Sequence, residues 1–182
     1  MASASPRRSE LLRKARIVFR VEPAHVPETP ENGEAPKEYA KRLARDKARA
    51  LAKKYPQDFV LGADTIVVSD EHLLEKPADE ADAARMLRLL AGRTHEVTTG
   101  VCLYSPVADV VESETTRVTV GPLSEEEIAE YIHTGEPMDK AGAYGIQGIF
   151  SRWVTGIEGD YANVVGLPVA RVCGMLKRAG FL

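Results

Sequence analysis

The chain has 182 residues, of which 44% are hydrophobic and 28% charged, enough for one well-buried core or two small lobes. Its formal net charge of -3 argues against the overall positive field that draws proteins to nucleic acid or to an anionic membrane. No apolar run approaches the roughly 18 residues of a membrane span, and no signal-peptide pattern opens the chain, so we expect a cytoplasmic protein without a membrane partner. Cys102 and Cys173 lie far apart in apolar patterns, which predicts buried free thiols and a reducing compartment.

The first predicted helix begins at Pro6, with Ser5 as its N-cap. Arg7 and Arg8 then fall in its first turn, where the partial positive charge of the helix end makes each cation unfavourable by about 0.3–1 kcal/mol. Two explanations remain open. Either Glu10 pairs with Arg7 and both arginines bend into solvent, or the helix end and both guanidinium groups hold an anion such as phosphate.

The second predicted helix runs from residue 37 to 54, after a loop at residues 22–36 that contains four prolines. One face of this helix carries Ala40, Leu43, Lys47 and Leu51 at three- and four-residue spacing. Lys47 is the charged exception on that face. Its stem either passes along apolar neighbours to reach solvent, or its ammonium points inward to bind phosphate.

The most strand-like stretch is DFVLGADTIVVSD, in which two apolar triplets enclose residues 62–65. This pattern places the carboxylate of Asp64 at the edge of a buried strand. A buried carboxylate is usually hydrogen-bonded, bound to a cation, or used as a base. The alternative is a hairpin in which residues 62–65 are only the turn.

The remaining predicted elements alternate between helices and strands. In chain order they are a helix at 80–91 capped by Asp79, an antiparallel strand pair at 94–104 and 110–120, a helix opened by a Ser124–Glu127 capping box and ended by Gly135, and a helix from Pro168 to Gly180. This alternation predicts an α/β fold with a mixed sheet flanked by helices. Seven of the 14 glycines lie between Gly135 and Gly166, which predicts close backbone approaches there.

Other residues are weaker candidates when taken singly. Lys76 precedes a helix, and Lys140 stands beside Asp139, which is its alternative partner. Gln147 offers both a donor and an acceptor to the edge of a nucleotide base. Neither a P-loop nor a dinucleotide motif is present, and no His/Cys cluster has zinc spacing. Any metal is therefore expected to be a hard cation, Mg²⁺ or Mn²⁺, held by carboxylates and ligand phosphates.

Seven segments of the chain together resemble one known family. They are SASPRRSELL, RLARDKA, LGADTIVV, LEKP, MLRLLAG, GEPMDKAGAYGIQG and IEGDYANVVGLP. In this order, and over nearly the whole chain, they are similar to the Maf family of nucleoside triphosphate pyrophosphatases. The resemblance implies one domain over residues 1–182, with a two-lobed mixed α/β fold related to the inosine triphosphatases and an active site in the central cleft. It also implies hydrolysis of the α–β phosphoanhydride of a nucleoside triphosphate with a divalent cation.

The resemblance further implies a set of site residues. Ser3, Arg7 and Arg8 match the phosphate-binding start of the family, which favours the anion explanation for the two arginines. Lys47 and Lys76 match its phosphate-contacting lysines. Asp64 matches its general base or metal-handling carboxylate, and Glu28 matches a loop carboxylate that would share the metal.

Arg7, Thr65 and Gln147 resemble the branch of the family that prefers dTTP and UTP. The branch acting on 7-methyl-GTP usually has a bulky aromatic residue in place of the first arginine. Alternatives are a broader pyrophosphatase that removes modified nucleotides, 7-methyl-GTP hydrolysis, or a division-linked regulator that binds nucleic acid through the basic helix 37–54. The negative net charge of the chain disfavours a regulator that binds nucleic acid. The expected partner is a nucleoside triphosphate and not a nucleic acid, and a homodimer is left open.

Two departures from the family pattern affect these expectations. Only Met1 precedes Ala2, where family members have several apolar residues, so the first strand is short or the true start lies upstream. Pro27 stands where an aspartate often precedes the loop glutamate, which weakens the alignment of Glu28.

Overall fold

A computed structural model of the chain describes residues 1–182. The helices are α1 Pro6–Lys14, α2 Pro36–Ala52, α3 Glu80–Leu90, α4 Glu125–His133, α5 Tyr161–Val165 and α6 Val169–Arg178. The strands are β1 Val60–Ser69, β2 His72–Leu74, β3 Thr94–Tyr104, β4 Asp109–Val120 and β5 Val154–Glu158. Short 3-10 segments at Glu136–Asp139, Ala141–Ala143 and Ile149–Arg152 lie between α4 and β5.

The five strands form one antiparallel sheet in the order β2-β1-β3-β4-β5, with helices flanking it. In the β1–β2 pair, Ser69 lies opposite His72. In the β4–β5 pair, Arg117 lies opposite Glu158, and the register shifts between Thr119 and Val120. The prediction of an α/β fold with helices around a sheet is therefore confirmed, whereas the sheet that was expected to be mixed is antiparallel.

The chain divides into two compact units. The first unit contains residues 1–65, 99–114 and 166–182, and the second contains residues 66–98 and 115–165. Boundaries between the two units fall within β1, β3 and β4, so each of these strands contributes residues to both units. Two compact units agree with the two-lobed architecture that the resemblance implies.

In the first unit, α1 begins as predicted. Pro6 occupies the first turn, and the Ser5 hydroxyl accepts a hydrogen bond of 3.4 Å from the Arg8 amide. The apolar faces of α1 and α6 close one core, whose buried members include Leu12, Leu103, Leu167, Val172 and Met175. No strand forms at the start of the chain, where a short first strand was expected. Ala2 N donates to Leu61 O, Glu22 N donates to Met1 O, and the Met1 ammonium donates to Arg20 O.

Helix α2 packs directly on the sheet, because small residues line both surfaces. Ala40, Ala44 and Ala48 are completely buried on the helix. A Cβ atom on Gly62 would lie 2.1 Å from the Ala44 carbonyl oxygen, and one on Gly100 would lie 2.2 Å from the Ala40 carbonyl oxygen. Any side chain at either glycine would therefore push α2 away from β1 and β3. The apolar face of α2 was predicted, but this role of the two glycines was not.

The second unit contains the two predicted helix caps. The Asp79 carboxylate accepts a 2.8 Å hydrogen bond from the Asp82 amide at the start of α3. At α4, both reciprocal bonds of the Ser124–Glu127 capping box are present, at 3.2 and 2.7 Å. Helix α4 contributes one ring to an aromatic cluster. The rings of the cluster are Tyr131, Tyr144, Phe150 and Trp153. Strands β2 and β5 were not predicted.

Both cysteines are free thiols. Cys102 is buried in β3, and burial raises the pKa of its thiol to about 12, so it is unreactive as a nucleophile. Cys173 is half-buried on α6 and packs against the core of the first unit. None of the helices is both long enough and apolar enough to span a membrane.

Candidate active site

Three predicted site residues of the first unit meet at one ammonium group. Lys47 Nζ lies 2.6 Å from Asp64 Oδ1 and 2.6 Å from Glu28 Oε1. The side chains of Lys47 and Asp64 are only 9% and 12% exposed, whereas that of Glu28 is 48% exposed. Lys47 therefore points inward to carboxylates, and the alternative in which its stem only passes apolar neighbours to reach solvent is wrong.

The local fold explains why these residues meet. Lys47 follows Ala44 on the buried face of α2, and the close approach at Gly62 sets that face against β1. Strand β1 runs unbroken from Val60 to Ser69, so Asp64 lies within a strand and the hairpin alternative is wrong. Lys47 binds Oδ1 and leaves Asp64 Oδ2 without a hydrogen bond from the protein. That oxygen has the chemistry to accept a proton from water or to bind a cation.

The two arginines of α1 occupy different environments. Arg8 is buried, whereas Arg7 is half-buried. Glu10, the alternative partner of Arg7, forms an ion pair of 2.7 Å with Lys14. The side chains of Arg7 and Arg8 therefore differ in burial, and Glu10 is paired with Lys14.

Four of the five N–H groups of Arg8 are used inside the first unit. Nε donates to Gly166 O at 2.8 Å, and Nη1 donates to Ala63 O at 2.8 Å and to Ser3 Oγ at 3.0 Å. Nη2 donates to Thr65 Oγ1 at 2.9 Å. All of these acceptors are neutral. Burial lowers the pKa of Arg8 from its ordinary value, while the charge of Asp64 acts in the opposite direction.

Arg8 thereby gathers Ser3 and Thr65, two further predicted site residues. The Thr65 hydroxyl also lies 2.9 Å from Thr99 Oγ1 and 3.3 Å from Gly166 O. Thr99 and Gly166 were not among the predicted site residues. Gly166 has φ +128°, a conformation that favours glycine, and the glycine-rich tail of the sequence was the only signal for it.

The second unit carries the other two predicted residues. Lys76 is exposed between β2 and α3, and its ammonium has no ion-pair partner. Gln147 is exposed in a turn closed by a 3.1 Å hydrogen bond from Gly148 N to Gly145 O. Lys140, the weaker candidate, bonds Asp139 Oδ1 and Glu136 O, both at 2.6 Å, so its alternative partner is confirmed.

The carboxylates near Lys47 fit a hard divalent cation that takes most of its ligands from the substrate and from water. No group of three or more His, Cys, Asp or Glu side chains is arranged to hold a metal ion. Asp64 and Glu28 are nonetheless two carboxylates gathered at one point by Lys47. Mg²⁺ is usually bound by one or two carboxylates, waters and substrate phosphates, so these two residues suit it.

Comparison with known proteins places the chain in a family. The family model for Maf-like proteins matches residues 1–179, and the chain belongs to the Maf family. A dTTP/UTP pyrophosphatase of Koribacter versatilis is 78% identical over 182 residues, covering 100% of this chain and 94% of that protein. Proteins of the same name from Symbiobacterium thermophilum and Geobacillus sp. are 51% and 48% identical, covering 100% of this chain and 93% and 97% of theirs.

Proposed function

We propose that this protein hydrolyses dTTP and UTP to the nucleoside monophosphate and pyrophosphate. The oxygen of a water molecule bonds to the α-phosphorus, and the bond from that phosphorus to the α–β bridging oxygen breaks. Pyrophosphate leaves with the electron pair of the broken bond, and the water proton passes to a base. The name dTTP/UTP pyrophosphatase, carried by a relative that is 78% identical, supports this substrate choice.

The observation that carries the proposed chemistry is the placement of Asp64 beside Lys47. Lys47 holds one carboxylate oxygen at 2.6 Å, which orients the carboxylate and leaves Oδ2 for water. Asp64 is the base that positions and deprotonates the attacking water. Because Asp64 lies within β1 and its partner lies on α2, both are fixed by regular elements rather than by loops.

The phosphates need positive charge, because phosphoryl-type transfer depends mainly on alignment and charge stabilisation. Arg7, Lys47 and Lys76 supply that charge in this proposal. Arg8 and Ser3 complete the phosphate-binding start of the chain, and Arg8 acts mainly by its charge and by holding Ser3 and Thr65, since four of its N–H groups are used. Loss of one phosphate-binding cation would raise the barrier by about 2–4 kcal/mol, by analogy with lost oxyanion donors.

A divalent cation, Mg²⁺ or Mn²⁺, would be held by Asp64 and Glu28. When bound, it neutralises negative charge on the phosphates of the substrate. Its site is built from this chain by only two carboxylates, so metal affinity is expected to rise when the nucleotide is present.

Gln147 reads the base in this proposal, with Arg7 and Thr65 completing the selectivity set. A glutamine amide can donate to the O4 of uracil or thymine and accept from N3–H. Cytosine presents an acceptor at N3 and a donor at C4, so it opposes both bonds of an amide that is held in this orientation. A site that hydrogen-bonds one base edge rejects the wrong edge strongly. UTP should therefore be preferred to CTP. We also propose that residues 1–182 act as a single catalytic domain, which the family match over residues 1–179 supports.

The test is a panel of nucleoside triphosphates assayed for product with Mg²⁺ and with Mn²⁺. We expect dTTP and UTP to be cleaved well above CTP, ATP and GTP, giving monophosphate and pyrophosphate. In water labelled with ¹⁸O, the label should enter the monophosphate, because attack is at the α-phosphorus. Release of orthophosphate and a diphosphate, or label in pyrophosphate, would contradict the proposed reaction. Equal rates on all bases would contradict the proposed selectivity.

A further inference from the structure

The turn that carries Gln147 is short and is held mostly from outside itself. Its only internal backbone bond runs from Gly148 N to Gly145 O, at 3.1 Å. Gln147 is exposed, while its neighbour Ile146 is buried and anchors one side of the turn. A glutamine that must match a base edge needs a fixed backbone, because its own side chain has several rotatable bonds.

Glu136 supplies part of that fixation at the far end of the turn. Its Oε2 accepts a hydrogen bond of 3.1 Å from the Ile149 amide, which lies two residues after Gln147. Its Oε1 accepts a hydrogen bond of 2.8 Å from the Tyr131 hydroxyl. One carboxylate therefore joins the turn to helix α4, using both oxygens.

Tyr131 holds the near end of the same turn. Its hydroxyl accepts a 3.2 Å hydrogen bond from the Gly145 amide while it donates to Glu136. Tyr131 is 1% exposed, and its ring packs against Phe150 and Trp153, with centroids 5.3 and 6.0 Å away. Burial, together with the hydrogen bond to Glu136, raises the pKa of Tyr131 well above its usual range, so it remains a donor at neutral pH.

Gly148 leaves the space that the Glu136 carboxylate occupies. A Cβ atom at Gly148 would lie 2.2 Å from Glu136 Oε1 and 2.4 Å from Oε2. Glycine is thus required there by a close side-chain approach. An alanine at this position would displace the carboxylate, and its hydrogen bonds with the Ile149 amide and the Tyr131 hydroxyl would be lost.

We propose that Glu136 and Tyr131 are positioning residues that set base selectivity by holding the Gln147 turn at both ends. This inference rests on the proposed role of Gln147 in reading uracil and thymine. Neither residue touches the substrate in it. They act through the backbone amides of Gly145 and Ile149, between which Gln147 lies.

The experiment measures kcat/KM for UTP and for CTP with purified full-length variants. In Glu136→Gln, the amide oxygen can still accept a hydrogen bond, but the amide nitrogen cannot. Either the bond from Tyr131 or the bond from Ile149 is therefore lost. We expect the UTP/CTP ratio to fall about tenfold, as for loss of one well-placed hydrogen bond, with the change mainly in the KM for UTP. Tyr131→Phe and Gly148→Ala should lower the ratio in the same direction, since they break the same network at different points.

The double variant Glu136→Gln/Gln147→Ala separates positioning from a general structural effect. If Glu136 acts through Gln147, the double variant loses no more selectivity than Gln147→Ala alone. The matched control is Glu130→Gln, since Glu130 lies beside Tyr131 on α4, with its side chain 74% exposed and 3.9 Å from Arg152. It should keep the wild-type ratio.

Several results would overturn this inference while leaving the proposed function intact. One is an unchanged UTP/CTP ratio in Glu136→Gln, Tyr131→Phe and Gly148→Ala while Gln147→Ala lowers it. Another is an equal loss of rate on both nucleotides, which indicates damage to the fold. If Gln147→Ala itself leaves the ratio unchanged, both this inference and the assigned role of Gln147 are wrong. Hydrolysis of UTP by the wild type is measured in the same assay, so the proposed activity is tested separately from this inference.

Discussion

Lys47 Nζ lies 2.6 Å from Asp64 Oδ1, and it binds Glu28 Oε1 at the same distance. One buried cation is thus shared by two carboxylates that come from a strand and from a proline-containing loop. The local charge of these three groups is negative by one unit. Lys47 thus orients Asp64 for the reaction and also contributes to the stability of the first unit, so activity and stability are measured separately in variants of these two residues.

Asp64→Asn should abolish most of the activity while the protein remains folded. The amide is nearly the same size as the carboxylate and still accepts the Lys47 bond, but it is a very poor base. We expect kcat for UTP to fall by at least about 100-fold, the lower range for loss of a general base. Asp58→Asn is the control, because Asp58 is 52% exposed and pairs only with Arg20. Full activity of Asp64→Asn at unchanged Tm would contradict the assignment.

Lys47→Met should destabilise the protein, because the Asp64 carboxylate would stay buried without its cation. The expected loss is about 3 kcal/mol, in the range for breaking a buried pair. Adding Asp64→Asn removes the unpaired charge and should recover part of that loss. The free energies of unfolding of both single variants and of the double variant, measured in urea, test this. Strict additivity would show that the two side chains are not coupled.

Arg7 and Arg8 should respond differently to the same conservative change. Arg8→Lys cannot reproduce four hydrogen bonds donated by three nitrogen atoms, so buried acceptors lose their donors. We expect Tm to fall by about 5–10 °C, which corresponds to about 2–4 kcal/mol in a chain of this size. Arg7→Lys should keep Tm and lower kcat/KM for UTP by about tenfold. Equal effects of the two changes on both quantities would refute this division.

Sequence patterns predicted the elements whose signals are local. The caps at Ser5, Asp79 and Ser124 and the apolar face of α2 depend on neighbours a few residues away, so their spacing alone was sufficient. The inward direction of Lys47 depends on Gly62 and Gly100, which are distant in sequence from α2. No local pattern reveals such a contact.

The network around Arg8 shows the same limit for the candidate site. Its acceptors include the backbone oxygens of Ala63 and Gly166, which lie 55 and 158 residues away in the chain. Backbone oxygens carry no residue-specific signal, so the sequence could not show that Arg8 is buried while Arg7 is only half-buried. Similarly, the bond from Tyr131 to Glu136 follows from a 3-10 segment after α4 that was not predicted.

His95 should make the protein less stable as pH falls below neutrality. Burial lowers the pKa of His95 to about 4, against 6.5 for the ordinary value, so between these pH values the unfolded chain binds a proton that the folded chain does not. Stability contributed by the neutral ring is complete above pH 6.5 and is lost as pH falls toward 4, by about 3 kcal/mol in total.

The matched variant for this effect is His95→Gln, which does not titrate and can still bond the Tyr144 hydroxyl, 2.8 Å from Nε2 in the wild type. Free energies of unfolding in urea at several pH values between 7.5 and 4 should fall more steeply for the wild type than for the variant. Parallel profiles would show that His95 does not retain its neutral form on folding.

Glu71→Gly should stabilise the β1–β2 hairpin. Asp70 and Glu71 form a two-residue connection between Ser69 and His72, with φ of +45° and +70°, although neither is glycine. Turns of this kind favour glycine because a side chain costs about 1–2 kcal/mol in the left-handed region, part of which is offset by the greater freedom of glycine when unfolded. The net gain should be about 0.5–1 kcal/mol, measured as a rise in Tm with UTP hydrolysis unchanged. Asp70 is left in place because it pairs with Arg93. Glu71→Ala removes the same carboxylate but keeps the backbone strain, so it should not raise Tm. An equal rise in both variants would assign the gain to lost charge and not to the backbone.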